Sequence, residues 1–196
     1  DWSRDELIAR LQGHDGVFVA ATEPIDATLV AACPQLKAVC SMAVGYNNID
    51  VAACKARGVA VTNAPDVLTE TTADLGFALM MAAARRVTES EHYLRAGKWK
   101  RWSYDFFCGA EVHGATLGIL GMGRIGQAVA RRASGFGMEL HYHSRRPVDP
   151  ADGHGALYHG SLEDMLPHCD FLSINCASTP ETKGIVNHRT IGLLPD

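Results

Sequence analysis

The sequence predicts an α/β fold with parallel sheets in two domains, on three observations. Short apolar strands alternate with helical stretches, an apolar strand runs into three spaced glycines and a helix at 117–134, and the character of the chain changes after Ala64-Pro65-Asp66. Taken in order, Gly16 to Ala20 reads as a short strand and Asp26 to Cys33 as a helix ended near Pro34. Leu36 to Ser41 is a buried strand, Val51 to Arg57 a helix stopped by Gly58, and Val59 to Asn63 another strand. The domain boundary is placed near Asp66, giving domains 1–66 and 67–196. Beyond it, Thr69 caps a single helix from about Glu70 to Gly97, with acids in its first turn and Arg85 and Arg86 later. At 1.5 Å per residue such a helix is about 40 Å long. Its middle (Leu75, Phe77, Leu79, Met80, Met81) is apolar on most faces. That pattern predicts burial all round, in a subunit interface or in an interior core. Further strands are expected at 117–120, Met138 to His143 and Phe171 to Asn175, with a helix from Ile125 to Ser134.

Residues 117–126 read Leu-Gly-Ile-Leu-Gly-Met-Gly-Arg-Ile-Gly. A G-x-G-x-x-G pattern between a strand and a helix is the dinucleotide fingerprint in its required context. Gly121 makes the tight turn, Gly123 lets backbone approach a pyrophosphate, and Gly126 lets the helix pack closely on the strand. Amide groups at the helix start then face the anion. Where the second strand ends, an acid ordinarily takes the ribose 2′-hydroxyl of NAD. Here the strand ends in Ser144-Arg145-Arg146 and carries no acid. A hydroxyl followed by guanidinium groups suits a 2′-phosphate, so NADP(H) is favoured over NAD(H). The plainer alternative is a pair of solvated arginines ahead of Pro147.

Composition narrows the function classes. The 196 residues are 47% hydrophobic and 20% charged with a net charge of −4, which suits globular domains and argues against nucleic acid as a partner. The richest apolar run, Leu75 to Ala84, is closed by Asp74 and Arg85 and is too short to span a bilayer. The N-terminus, Asp-Trp-Ser-Arg-Asp-Glu, has no signal-peptide character. Cys33, Cys40, Cys54, Cys108, Cys169 and Cys176 form no C-x-x-C pair, so neither a metal site nor a disulfide framework is expected, and a reducing cytoplasm fits.

Three segments together carry a family resemblance. These are Ser41 to Asp50 (SMAVGYNNID), Asn63 to Asp74 (NAPDVLTETTAD) and Leu120 to Gly126 (LGMGRIG). In order and spacing they resemble the D-2-hydroxyacid dehydrogenases, and within them the glyoxylate/hydroxypyruvate reductase branch. The resemblance implies two doubly wound parallel-sheet domains, flavodoxin-like for substrate and Rossmann for dinucleotide, with the active site between them. It also implies reduction of a small 2-keto acid to the D-2-hydroxy acid by hydride transfer from NAD(P)H. On this basis Ala43, Val44 and Gly45 offer backbone amides to the substrate carboxylate, as a nest does, with Gly45 permitting the turn and the close approach. Arg124 and Ile125 fall at the pyrophosphate, joining Gly121, Met122, Gly123 and Gly126, and Thr72, Cys176 and Thr182 fall on the nicotinamide side.

The segment Trp99 to Phe107 resembles the family loop that reaches a neighbouring subunit, so a homodimer through 70–97 and 99–107 is implied, with Trp102 and Phe106 near the substrate or simply packed on the partner. The carbonyl-polarising arginine, its glutamate and the acid–base histidine of the family would all follow Asp196. His141 and His143 lie toward the adenine end and the remaining histidines read as surface, so none replaces the missing acid. Both domains therefore look truncated, and residues 1–196 alone are expected not to turn over glyoxylate. Alternatives on the same fold are a dinucleotide-sensing corepressor, or a dehydrogenase of phosphoglycerate or phosphite.

Overall fold

The computed structural model describes residues 2–195 and divides the chain into two compact units, one up to Leu68 and one from Thr69 onward. In the first, α1 (Arg4–Leu11) and β1 (Gly16–Val19) are followed by α2 (Ala27–Ala32), β2 (Ala38–Ser41), α3 (Val51–Ala56) and β3 (Ala60–Thr62). Each helix start is specified locally. Ser3 and Glu6 form a reciprocal capping box on α1, and the carboxylates of Asp26 and Asp50 accept from Leu29 N–H and Ala53 N–H at 2.9 and 2.8 Å. The strands pair in parallel in the order β1-β2-β3, which sets Val17, Val39 and Val61 in one row. Parallel neighbours need crossovers, and α2 and α3 supply them. Leu7, Leu11, Leu29, Val30 and Cys54 from the helices close a core over Val19 and Val39. Phe18, one residue out of phase, faces the other way and is 71% exposed.

The second unit contains α4 (Thr69–Ala84), α5 (Val87–Arg95), β4 (Thr116–Leu120), α6 (Arg124–Ser134), β5 (Glu139–His143), β6 (Leu157–His159), α7 (Leu162–Met165), a 3₁₀ turn (Leu166–His168), β7 (Phe171–Ile174) and α8 (His188–Ile191). Its strands are all parallel in the order β6-β5-β4-β7. Central β4 is buried from Leu117 to Leu120, as a strand covered on both faces must be. Leu117 and Ile119 are fully buried, each contributing about 1.5–3 kcal/mol on leaving water. Phe77 of α4 meets Phe136 with ring centroids 5.1 Å apart, and Arg132 of α6 reaches back to Asp74 at 2.5 Å and Glu70 at 2.9 Å. The hydrogen bonds from Arg132 and then Arg131 hold the Glu70 carboxyl below its ordinary range.

Two expectations are corrected here. The single helix from Glu70 to Gly97 is broken after Ala84, because Arg86 adopts a left-handed conformation (φ 52°). Tertiary contacts hold that break. Arg86 is paired with Glu89 at 2.7 Å, donates to the Cys108 carbonyl at 3.3 Å and lies over the Phe107 ring, while Ala110 N–H donates to the Ala84 carbonyl at 2.8 Å. Nor is the helix buried all round. Ala73, Phe77 and Ala84 are buried and Met80 and Met81 pack against the core, but Leu75 and Leu79 are each 61% exposed. Among the described residues no helix is long and apolar enough to cross a membrane.

Candidate dinucleotide cleft

At the C-terminal end of β4 the strand order reverses, with β5 to one side and β7 to the other, which is where open α/β sheets form ligand crevices. The turn into α6 is built on its glycines, and they are required for different reasons. Gly121 has φ +96°, donates its N–H to the His143 carbonyl at 2.8 Å, and carries no Cβ because one would lie 2.7 Å from the Cys176 nitrogen. A Cβ on Gly126 would lie 2.2 Å from the Gly121 carbonyl oxygen. Gly123 is unlike both. It caps α6 with ordinary extended angles (φ −80°, ψ −165°) and no side-chain hydrogen bond, and nothing in the protein comes within 4 Å of where its Cβ would stand. Neither conformation nor packing asks for glycine there. What remains is a surface left bare for a group outside the protein, at a helix N-terminus with no acid in its first turn.

A cavity of about 670 Å³ opens over this turn. Of the residues singled out from the sequence, the structure brings Gly121, Met122 and Gly123 together with Ser144, Arg145 and Arg146, and with Cys176 and Thr182, in its walls. Arg124, Ile125 and Gly126 form the first turn of α6. There Gly126 is buried and the Ile125 side chain packs into the core, so Ile125 faces an anion only through its backbone. Thr72 is exposed on the first turn of α4 and does not line the cavity. His143, Asn175, Thr179 and Glu181 also line it and were not among the residues chosen. Topology supplies them, because β4–β5 pairing sets His143 beside Leu120 and β4–β7 pairing lays the loop after β7 beside Gly121.

The polar groups of the cavity are partly committed. The Ser144 hydroxyl donates to the Arg146 carbonyl at 2.6 Å, shaping the turn that presents Arg145 and Arg146, and both of these side chains are exposed. Thr182 similarly donates to the Ala177 carbonyl at 2.7 Å and accepts from Thr179 N–H at 2.8 Å, fixing the loop's shape. A hydrogen bond from Thr179 holds the Glu181 carboxyl below its usual value, with a smaller pull from Arg145.

In the first unit, Ala43, Val44 and Gly45 follow β2. Asn63 donates from its side-chain amide to the Val44 carbonyl at 2.8 Å, and Ala64 N–H donates to the Ala43 carbonyl at 3.1 Å. The Ala43 N–H donates to the buried Ser41 hydroxyl at 3.1 Å, so of these three amides those of Val44 and Gly45 have no partner among the described residues. Gly45 is not in the left-handed region and its Cβ would meet nothing closer than Asn47 at 3.5 Å. Turn geometry therefore does not require it, contrary to expectation, and only room for close approach remains. The histidines need correction as well. His159 is half-buried, its Nε2 3.0 Å from His141 Nδ1, and both rings lie within 5.6 Å of His168. Burial first, then the neighbouring imidazoles, push His141 and His159 below the ordinary histidine range.

This fold and this turn define a Rossmann-type dinucleotide-binding unit. The chain belongs to the D-isomer specific 2-hydroxyacid dehydrogenases, with residues 77–196 matching the family's NAD binding domain. It is 48% identical over 191 residues to a glyoxylate reductase of Korarchaeum cryptofilum, covering 96% of this chain and 57% of that protein. To a glyoxylate reductase of Thermococcus kodakarensis it is 43% identical over 195 residues, covering 97% and 59%. The chain thus spans less than two thirds of the length of these curated relatives. The solved structure of the TT0316 protein from Thermus thermophilus superposes with a TM-score of 0.91 at 39% identity, over 99% of this chain and 61% of that one.

Proposed function

We propose that this protein is an NADPH-preferring reductase of a small 2-keto acid of the glyoxylate or hydroxypyruvate kind, acting as a homodimer in the cytoplasm. The observation that carries the proposal is the cleft itself, with a side-chain-free helix N-terminus at Gly123 and Arg145 and Arg146, but no carboxylate, at the end of β5. A nicotinamide dinucleotide, when bound, supplies the hydride. The glycine turn holds the pyrophosphate through backbone N–H groups, and the arginines neutralise a 2′-phosphate. The unit up to Leu68 contributes the substrate side, where Val44 N–H and Gly45 N–H take the carboxylate. The substrate class follows the relatives that are glyoxylate reductases.

The exposed Leu75 and Leu79 of α4, with Trp99, Trp102 and Tyr104 exposed beyond α5, support a second copy as partner. Phe106 packs on Tyr93 and Phe107 and is 37% exposed against 77% for Trp102, so Trp102 is the better candidate for reaching a partner's substrate. Six free cysteines, three of them buried, suit a reducing compartment.

Steady-state kinetics on the full-length protein with glyoxylate and hydroxypyruvate test this. A lost charge-assisted contact is worth about tenfold to a hundredfold in affinity. NADPH should exceed NADH in kcat/KM by that margin, and Arg145→Ala with Arg146→Ala should abolish the difference. Equal efficiencies untouched by the substitutions reject the cofactor assignment, and no turnover of either acid rejects the substrate class.

A further inference from the structure

We propose that His143 is a proton-dependent specificity residue for the 2′ position of the dinucleotide, adding a cation beside Arg145 and Arg146 only when its ring is protonated. This rests on the NADP(H) assignment above and deepens it. His143 is the last residue of β5, its carbonyl receives the Gly121 N–H at 2.8 Å, and it lines the cleft immediately before Ser144. Strand alternation separates it from Leu140 and Tyr142, which are buried in the core, and sets it on the face of His141.

Its ring is fixed by one contact. Nδ1 lies 2.9 Å from the His159 carbonyl oxygen. A carbonyl only accepts, so Nδ1 carries the hydrogen and Nε2 is the atom that changes with protonation. Among the described residues Nε2 has no hydrogen-bond partner. Neutral, it offers a lone pair, which accepts from a ribose 2′-hydroxyl but repels a phosphate. Protonated, it becomes a charged donor that suits the phosphate and no longer accepts from the hydroxyl.

The other charges around it are committed or remote in sign. On β5 and β6, burial pushes the titration of His141 and His159 down, and His168 of the 3₁₀ turn lies behind them. On α7, Asp164 opposes the lowering of His159, while the Glu163 carboxyl is held low by Arg189 at 2.6 Å and less strongly by His143. Across the cleft, Glu181 is hydrogen-bonded by Thr179. Arg145 and Arg146 are charged at every relevant pH, so the pH-dependent part of 2′ discrimination falls to His143.

The test is fluorescence titration of full-length protein with NADPH and NADH from pH 5.5 to 8.5, in the wild type and in His143→Gln. The 2′-phosphate takes up its own proton near pH 6, equally in both proteins, so the difference between them isolates the imidazole. In the wild type the NADPH:NADH affinity ratio, relative to the variant, should be about tenfold at the acid end and fall toward one at the alkaline end. Parallel curves overturn the role of His143 while leaving NADPH preference intact. Equal affinities for both dinucleotides at every pH overturn the NADP(H) assignment and this role with it. Should the variant not fold, NMR titration of the wild-type His143 ring decides. Its midpoint should rise with 2′-AMP and fall with adenosine, and no rise with 2′-AMP overturns the proposal.

Discussion

Two connections in this chain carry the end of a strand into a helix past a glycine: β4 to α6 through Gly121, Gly123 and Gly126, and β2 to α3 through Ala43, Val44 and Gly45. In the first, two glycines are demanded by the protein itself, since a Cβ at Gly121 or Gly126 would stand 2.7 Å and 2.2 Å from backbone atoms. In the second, Gly45 meets nothing closer than 3.5 Å and has no left-handed φ. The fold itself therefore demands glycine in the first turn and does not demand it in the second. That difference sets which substitutions unfold the protein and which merely disable it.

The largest effect expected is from Gly126→Ala. Forcing a methyl against the Gly121 carbonyl should destabilise the second unit by about 1–3 kcal/mol or more, whereas Gly45→Ala should stay within about 0.5 kcal/mol of wild type and act on substrate KM. Calorimetric unfolding checks both, and a wild-type Tm for Gly126→Ala would break the contrast. Next comes the exposed face of α4. Each leucine contributes about 1.5–3 kcal/mol on burial, so Leu75→Glu with Leu79→Glu should turn a dimer into a monomer by sedimentation while the second unit still unfolds cooperatively. An unchanged dimer places the interface elsewhere.

A smaller effect is expected from the imidazole stack. Folded-state values of His141 and His159 lie below the ordinary histidine value, so the unfolded chain binds more protons. Their contribution to stability is present above about pH 6.5 and is lost as pH falls through the lowered values. Melting curves between pH 7.5 and 5.5 should lose a few degrees in Tm, and His141→Gln with His159→Gln should flatten the slope. A slope unchanged in the double variant contradicts the burial of these rings.

Much of this architecture was readable because local chemistry and tertiary packing agree. The strand at 117–120, the glycine turn and α6 form one unit in which apolar run, turn and helix each specify the next. Asp26 and Asp50 mark their helices by capping, whereas α1 is absent from the sequence reading although Ser3 and Glu6 cap it. The break at Arg86 was not readable, since no glycine or proline announces it and only contacts with Glu89, Cys108 and Phe107 hold the left-handed residue. β6 was missed for the same reason: three residues with no alternation become a strand only by pairing with β5. In the cleft, the glycines and the Ser144 to Arg146 segment were legible as local motifs. Asn175 and Glu181 enter through strand order, which local pattern does not encode.

The central claim is that Gly123, unlike its two companions, is bare for a ligand and not for the fold. Gly123→Ala isolates it, because the added methyl meets no protein atom within 4 Å and the backbone angles are ordinary ones. Dinucleotide titration and thermal unfolding on this one variant should show a wild-type Tm together with affinity for NADPH reduced about tenfold or more, as expected for a lost charge-assisted contact. A variant that keeps wild-type affinity, or one that loses affinity only because it unfolds, would contradict the account.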